Sequence, residues 1–173
     1  MPRSGIAIVL VAGALTTVSG QTPDSKLQSQ LKQLFPAAAS FSPRDGEPPH
    51  FKAYSGANSQ GPVVGYAFWT TDLQPLERGY DGPIKMLVGL GPDAKITGLI
   101  VVEHKEPFGD FSIEPPAFAA QFVRKDIRDP FKVGGDIDAV TRATITVTSA
   151  ARAVRNGARR IARALLTPPG GQQ

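Results

Sequence analysis

The sequence predicts an α+β fold: a small, twisted, mostly antiparallel sheet built from hairpins, flanked by helices that include a long C-terminal one. Three observations carry this. Short runs rich in β-branched and aromatic residues are separated by Gly/Pro/Asn/Asp clusters, the pattern of hairpins. The nearly unbroken run Leu99-Ile100-Val101-Val102 asks for a strand covered on both faces, hence for a helix packed over the sheet. Apolar residues then recur at steps of three and four through the last third of the chain, the period of an amphipathic helix. A length of 173 residues with 41% apolar content suits one domain with its own core. The 18 Gly and 16 Pro are about a fifth of the chain, below the roughly 25–30% of low-complexity sequence. With no Cys, disulfides, thiolate metal sites, iron–sulfur ligation and cysteine nucleophiles are excluded; two His make an all-protein transition-metal site an unpromising reading.

Residues 1–20 read as a secretory signal peptide: Arg3, an apolar run from Gly5 to Leu15, then small residues ending Val18-Ser19-Gly20 before Gln21. The run is shorter than the ~20 residues a spanning helix needs, so a soluble product outside the cytoplasm is expected. Residues 21–167 form the expected domain and 168–173, Pro-Pro-Gly-Gly-Gln-Gln, a frayed tail. Asp24 is placed to cap a helix carrying Leu27, Leu31 and Leu34 that stops before Pro36. A Pro-rich loop from Phe41 to Pro49 follows. Phe51 to Tyr54 and Val63 to Asp72 read as a hairpin across the Gly56-to-Pro62 turn region, and Ile84 to Leu90 and Lys95 to His104 as a second across Gly91-Pro92-Asp93-Ala94. Phe118, Phe122 and Ile127 mark a short helix after Pro115-Pro116. Val147, Ala151, Val154, Ala158, Ile161 and Leu165 form the stripe of the last helix, and Arg152, Arg155, Arg159 and Arg163 fall elsewhere on it.

Charge is unevenly placed. The formal net charge is +4, or +3 without Arg3, yet residues 139–173 hold six Arg and no acid, so the six exceed that net and residues 21–138 sum to −3. The basic character belongs to one helix, whose plain reading is a solvated face; for an exported protein it does not imply nucleic acid.

Three stretches could carry chemistry. In Asp138-Ala139-Val140-Thr141-Arg142-Ala143-Thr144-Ile145-Thr146, hydroxyls crowd the start of the basic helix, where unpaired N–H groups and the helix dipole, with Arg142, would suit a phosphate. The plainer alternative is capping, or Thr144, Thr146 and Thr148 alternating on an exposed strand face, and composition alone favours it. In His104-Lys105-Glu106-Pro107-Phe108-Gly109 a tight loop follows the most hydrophobic strand; Phe108 could lie on a planar ring and Glu106 could accept a proton or a hydrogen bond. Gly79-Tyr80-Asp81-Gly82-Pro83-Ile84 reads either as a turn or as a ring-stacking loop.

Taken together, the order Gly79-Tyr80-x-Gly82-Pro83-Ile84, a hairpin, His104-x-Glu106-Pro107-Phe108-Gly109, then Asp138-x-x-Thr141-x-Ala143-Thr144 resembles the periplasmic covalent FMN-binding domain family. Members occur in the G subunit of Rnf complexes, the C subunit of the sodium-pumping quinone reductase and the N-terminal part of NosR, to which the chain looks most similar. The resemblance implies FMN as cofactor, joined by a flavin transferase through its phosphate to Thr144. It implies that Asp138, Thr141, Arg142 and Ala143 accompany the attachment site and that Thr141 and the backbone around Ala143 contact the phosphate. It further implies that Tyr80, Glu106, Pro107, Phe108 and Gly109 contact the ring. Two positions depart from the family pattern: Arg142 stands where many members carry Gly, and Pro107-Phe108-Gly109 replaces a more usual Thr-Pro-Gly. If that Gly serves a positive φ, Arg142 brings strain; beside a phosphodiester it would also bring a charge-assisted hydrogen bond.

The expected function is electron relay by FMN in a periplasmic or membrane-associated redox chain, with a membrane or periplasmic redox partner, a carrier rather than a self-contained enzyme. The rival is a flavin-free periplasmic binding or regulatory module that docks a partner through its Arg-rich C-terminal helix.

Overall fold

The computed structural model describes residues 23–166, so the expected signal peptide and tail lie outside the described residues. The first helix, α1 (Ser25–Leu34), starts where the Asp24 carboxylate accepts the Leu27 amide at 2.8 Å and stops one residue short of Phe35-Pro36. Five strands follow in chain order, β1 (Ser40–Phe41), β2 (Phe51–Tyr54), β3 (Val63–Trp69), β4 (Lys85–Leu90) and β5 (Ile96–Glu103). They form an antiparallel sheet in that same spatial order. Two short helices, α2 (Gly109–Ser112) and α3 (Pro116–Ala120), precede the 22-residue α4 (Thr144–Leu165). The fold is α+β, as the sequence predicts.

The sheet separates two cores because successive strand residues point to opposite faces. Leu31, Leu34 and Phe35 pack with Phe51, Ala53, Ala67 and Leu87 on one face. Phe68, Met86, Val88 and Leu90 meet Val147, Ala151, Val154, Ala158 and Ile161 on the other, which makes the helical stripe of α4 part of the larger core. Gly157 lets α4 sit this close: a Cβ there would lie 2.5 Å from Phe68 Cε2 and 3.0 Å from Leu73 Cδ1, and Phe68 is fully buried.

Four expectations change in detail, the first being that the helix marked by Phe118, Phe122 and Ile127 ends at Ala120, so the last two lie in the turns beyond it. The strand expected over Val63 to Asp72, β3, ends at Trp69 and Thr70–Asp72 form a 3-10 turn, because the buried Thr70 hydroxyl replaces the ladder: it accepts the Met86 amide at 2.9 Å and donates to the Ile84 carbonyl at 2.8 Å. Phe41, assigned to the Pro-rich loop, pairs instead with Ala53 in the two-residue edge strand β1. On β5 only Leu99 of the apolar run is buried; Ile100, Val101 and Val102 are half-buried, because β5 is the edge of the sheet.

Candidate functional site

Strand register brings the site together. Lys85 at the start of β4 pairs with Glu103 at the end of β5, so the loop that enters β4 and the loop that leaves β5 emerge side by side. The first is closed by the Gly79 amide donating to the Gly82 carbonyl at 2.6 Å, and the second by the Gly109 amide donating to the Glu106 carbonyl at 3.1 Å. The N-terminus of α4 arrives at this same end, and there the Thr146 hydroxyl donates to the Glu106 carboxylate.

A cavity of about 550 Å³ opens between these three pieces. The two loops contribute Tyr80, Pro107 and Phe108 to its lining. Arg142 and the first turn of α4 contribute the rest, with Ala143, Thr144, Ile145 and Thr146. Two larger cavities of about 810 Å³ lie elsewhere, along the outer edge of β5 and among the arginines of α4, and neither is lined by Phe, Tyr or Trp.

The first turn of α4 is open to a ligand. Its N-cap is Ala143, which has no side chain able to cap, and the first helical bond runs from the Val147 amide to the Ala143 carbonyl at 2.9 Å. The amides of Thr144, Ile145 and Thr146 therefore meet no acceptor among the described residues, which leaves the partial positive charge of the helix end uncompensated. The three threonines lie on a helix, not on an exposed strand face. Thr144 is exposed and its hydroxyl makes no hydrogen bond to a described residue, whereas Thr146 is buried. Arg142 has φ +72°, the left-handed region in which a non-Gly residue carries strain of about 1–3 kcal/mol.

Glu106 is buried at 6% exposure and is committed to the protein itself. Its carboxylate accepts the Tyr80 and Asp81 amides, each at 2.9 Å, as well as the Thr146 hydroxyl. Burial alone would raise its pKa; the bonds from Thr146, Asp81 and Tyr80 hold it below the usual glutamate value. His104 Nδ1 accepts the Glu106 amide at 3.1 Å, so Nε2 is the donor to Glu114 at 2.9 Å.

Of the residues singled out from sequence, Tyr80, Pro107, Phe108, Arg142, Ala143 and Thr144 share the cavity wall. Glu106 sits behind it, and Gly109 is buried where a Cβ would collide with the His104 ring. Thr141 is exposed on the turn that leads into α4. Asp138 is also exposed, with its amide held by Gln121 Oε1 at 2.7 Å, and does not line the cavity. Sequence reasoning missed Ile145 on the wall and the bond between Thr146 and Glu106, 40 residues apart, for which no local pattern gives a signal.

The FMN-binding domain model matches residues 79–159, the span from the first loop of this cavity to the body of α4. Residues 79–159 belong to the FMN-binding domain family. The G subunit of an ion-translocating oxidoreductase complex from Vibrio parahaemolyticus is 36% identical over 88 residues, 45% of this chain and 42% of that protein. The corresponding protein of Haemophilus influenzae (strain Rd) is 32% identical over 127 residues, 64% and 54% of the two chains. The regulatory protein NosR of Pseudomonas aeruginosa is 32% identical over 148 residues, 79% of this chain and 20% of that one. The chain thus spans between a fifth and just over half of these relatives.

The cofactor of the family domain is FMN, and the residues present fit it. Aromatic rings at Tyr80 and Phe108, 70% and 39% exposed, line the same cavity as a helix turn with unpaired amides and a cation, which matches a planar ring joined to a phosphate. Among the described residues no helix is long and apolar enough to cross a membrane.

Proposed function

We propose that this chain is an exported electron-relay module whose FMN is esterified through its phosphate to Thr144. One observation supports this most: the exposed Thr144 hydroxyl stands at an uncapped helix N-terminus and lines the same cavity as two exposed aromatic rings. Attachment from FAD would form the bond between Thr144 Oγ and the flavin-side phosphorus while the pyrophosphate P–O bond breaks. AMP leaves, the hydroxyl proton is released, and no electrons are transferred. A flavin transferase is the partner that such maturation requires. Bound FMN supplies the redox chemistry; the chain's own residues hold and orient it.

In this reading the amides of Ile145 and Thr146 and the Arg142 guanidinium receive the phosphate charge, and Tyr80, Pro107 and Phe108 flank the ring. The relatives named as subunits of an ion-translocating oxidoreductase complex support a redox partner at or near a membrane. The rival, a flavin-free module docking through the arginines of α4, gains no support from their contacts. Arg159 donates to the Ile127 and Asp129 carbonyls at 2.6 and 2.9 Å, Arg160 to the Gln74 carbonyl at 2.5 Å and to Glu47 at 3.0 Å, and Arg152 pairs with Glu77 at 3.4 Å.

Co-expression with a flavin transferase in the presence of FAD tests the proposal. The expected result is a mass gain of one FMN and a fluorescent band after denaturing electrophoresis. A chain that never acquires flavin under these conditions overturns it.

A further inference from the structure

Glu106 is absent from the cavity lining and bonds to both the 79–82 loop and the first turn of α4. Three donors converge on it, two from the 79–82 loop and one from the first turn of α4, and no cation balances it within salt-bridge distance among the described residues. The 79–82 loop is shaped to this arrangement. Gly79 lies against the carboxylate, where a Cβ would come 2.6 Å from Glu106 Cδ, so any larger residue has to displace the carboxylate or the loop. Apart from the Gly79–Gly82 bond that closes the loop on itself, its tip is exposed at Tyr80 and Asp81, and Gly82 has φ +140°.

We propose that Glu106 is a positioning residue that latches the Tyr80 loop to the first turn of α4, and so sets where the ring of FMN lies relative to the phosphate-bearing Thr144. This rests on the FMN reading above. The latch connects the ring wall and the phosphate wall through one buried carboxylate, and Thr146 is the half of it on the helix. Its hydroxyl is thereby committed, which leaves Thr144 as the free one. A carboxylate is required rather than an amide, because Gln offers only one acceptor atom to three donors and sets its NH₂ against one of them.

The test has two parts. In the flavin-free chain, amide hydrogen exchange of Tyr80 and Asp81 should speed up roughly tenfold or more in Glu106→Gln, the loss expected when a charge-assisted bond goes. In the flavinylated chain, Glu106→Gln should still gain one FMN by mass while its flavin fluorescence and midpoint potential shift. Thr146→Val removes one donor and leaves the two amide bonds, so it carries the test where Glu106→Gln does not fold; its flavin signature should shift, and Thr146→Ser should restore that of the wild type. Unchanged exchange at Tyr80 and Asp81, or an unchanged flavin signature in the loaded variants, overturns the latch. A wild-type chain that takes up no FMN overturns the preceding reading instead, and the exchange measurement still decides whether Glu106 fixes the loop.

Discussion

Thr144 and Thr146, two residues apart on the first turn of α4, have opposite fates: Thr144 is exposed with a hydroxyl that bonds to no described residue, and Thr146 is buried against Glu106. A nucleophile has to be free and a latch has to be occupied, so substitution of the two should separate attachment from stability. Thr144→Val is expected to abolish covalent FMN with little change in thermal unfolding. Thr146→Val is expected to keep the fluorescent band and to cost about 1–3 kcal/mol, the effect of losing a buried bond to a charged acceptor. Denaturing electrophoresis and chemical unfolding of both variants check this; a fluorescent Thr144→Val would move the attachment point elsewhere.

Arg142 combines a strained backbone with a charge on the cavity wall, and two substitutions pull these apart. Gly relieves the left-handed φ at +72°, worth about 1–3 kcal/mol, against about 0.5–1 kcal/mol of added chain entropy. Ala relieves no strain. Arg142→Gly should therefore be at least as stable as the wild type in the flavin-free state, and Arg142→Ala no more stable than it. If the guanidinium serves the phosphate, both should load FMN more slowly than the wild type under limiting transferase. Equal loading by all three chains would assign Arg142 no role in the site.

Most of the architecture was legible in the sequence because period and turn chemistry are local. The Asp24 cap, both hairpins and the stripe from Val147 to Ile161 are where alternation, Gly/Pro clusters and helical spacing place them. The full cover expected for Leu99–Val102 failed because an apolar run does not reveal whether its strand is central or at an edge. At the site, a resemblance spread over three separated motifs located the cavity wall. It did not reveal that Glu106 is committed to backbone amides, since a carboxylate in a Pro-Gly loop looks the same whether it faces a ligand or the next loop. The basic helix is the converse case: its arginines read as a solvated face, yet several are anchors for carbonyls distant in sequence.

That anchoring can be measured at Arg159, which ties α4 to the 127–129 segment through the Ile127, Arg128 and Asp129 carbonyls. Arg159→Ala should destabilise the domain by about 1–3 kcal/mol, since those bonds are charge-assisted and half-buried. Arg163→Ala, one turn on and exposed, should stay within about 0.5 kcal/mol. Urea unfolding of the two variants decides, and equal effects would return the helix to the status of a uniformly solvated basic face.

Phe108 tests the ring wall separately from the attachment site. It is 39% exposed and meets Phe111 with ring centroids 5.5 Å apart, so its loss should alter the flavin-free domain by no more than about 0.5 kcal/mol. In the loaded chain Phe108→Ala should change flavin fluorescence or potential and leave the mass gain intact. Spectra and potential equal to wild type would remove this loop from the ring's surroundings.

Acid should release the latch, and the sign follows from Glu106 itself. Its pKa is held below the usual value in the folded chain, so its contribution to stability is fully present above the ordinary glutamate range, about 4.3, and is lost as pH falls through the depressed folded value. Asp136 behaves in the same sense: burial opposes ionisation, but the Lys125 ammonium at 2.9 Å and the Lys132 and Phe131 amides hold its pKa down. A falling wild-type stability in acid therefore does not isolate Glu106, but the difference between wild type and Glu106→Gln does, because Asp136 is common to both. That difference should shrink below about pH 4, where the wild-type carboxylate gains the proton that makes it resemble the amide. Denaturant unfolding of the flavin-free pair across this range measures it. A difference that stays the same at every pH would mean that the charge on Glu106 contributes nothing to holding the Tyr80 loop against α4.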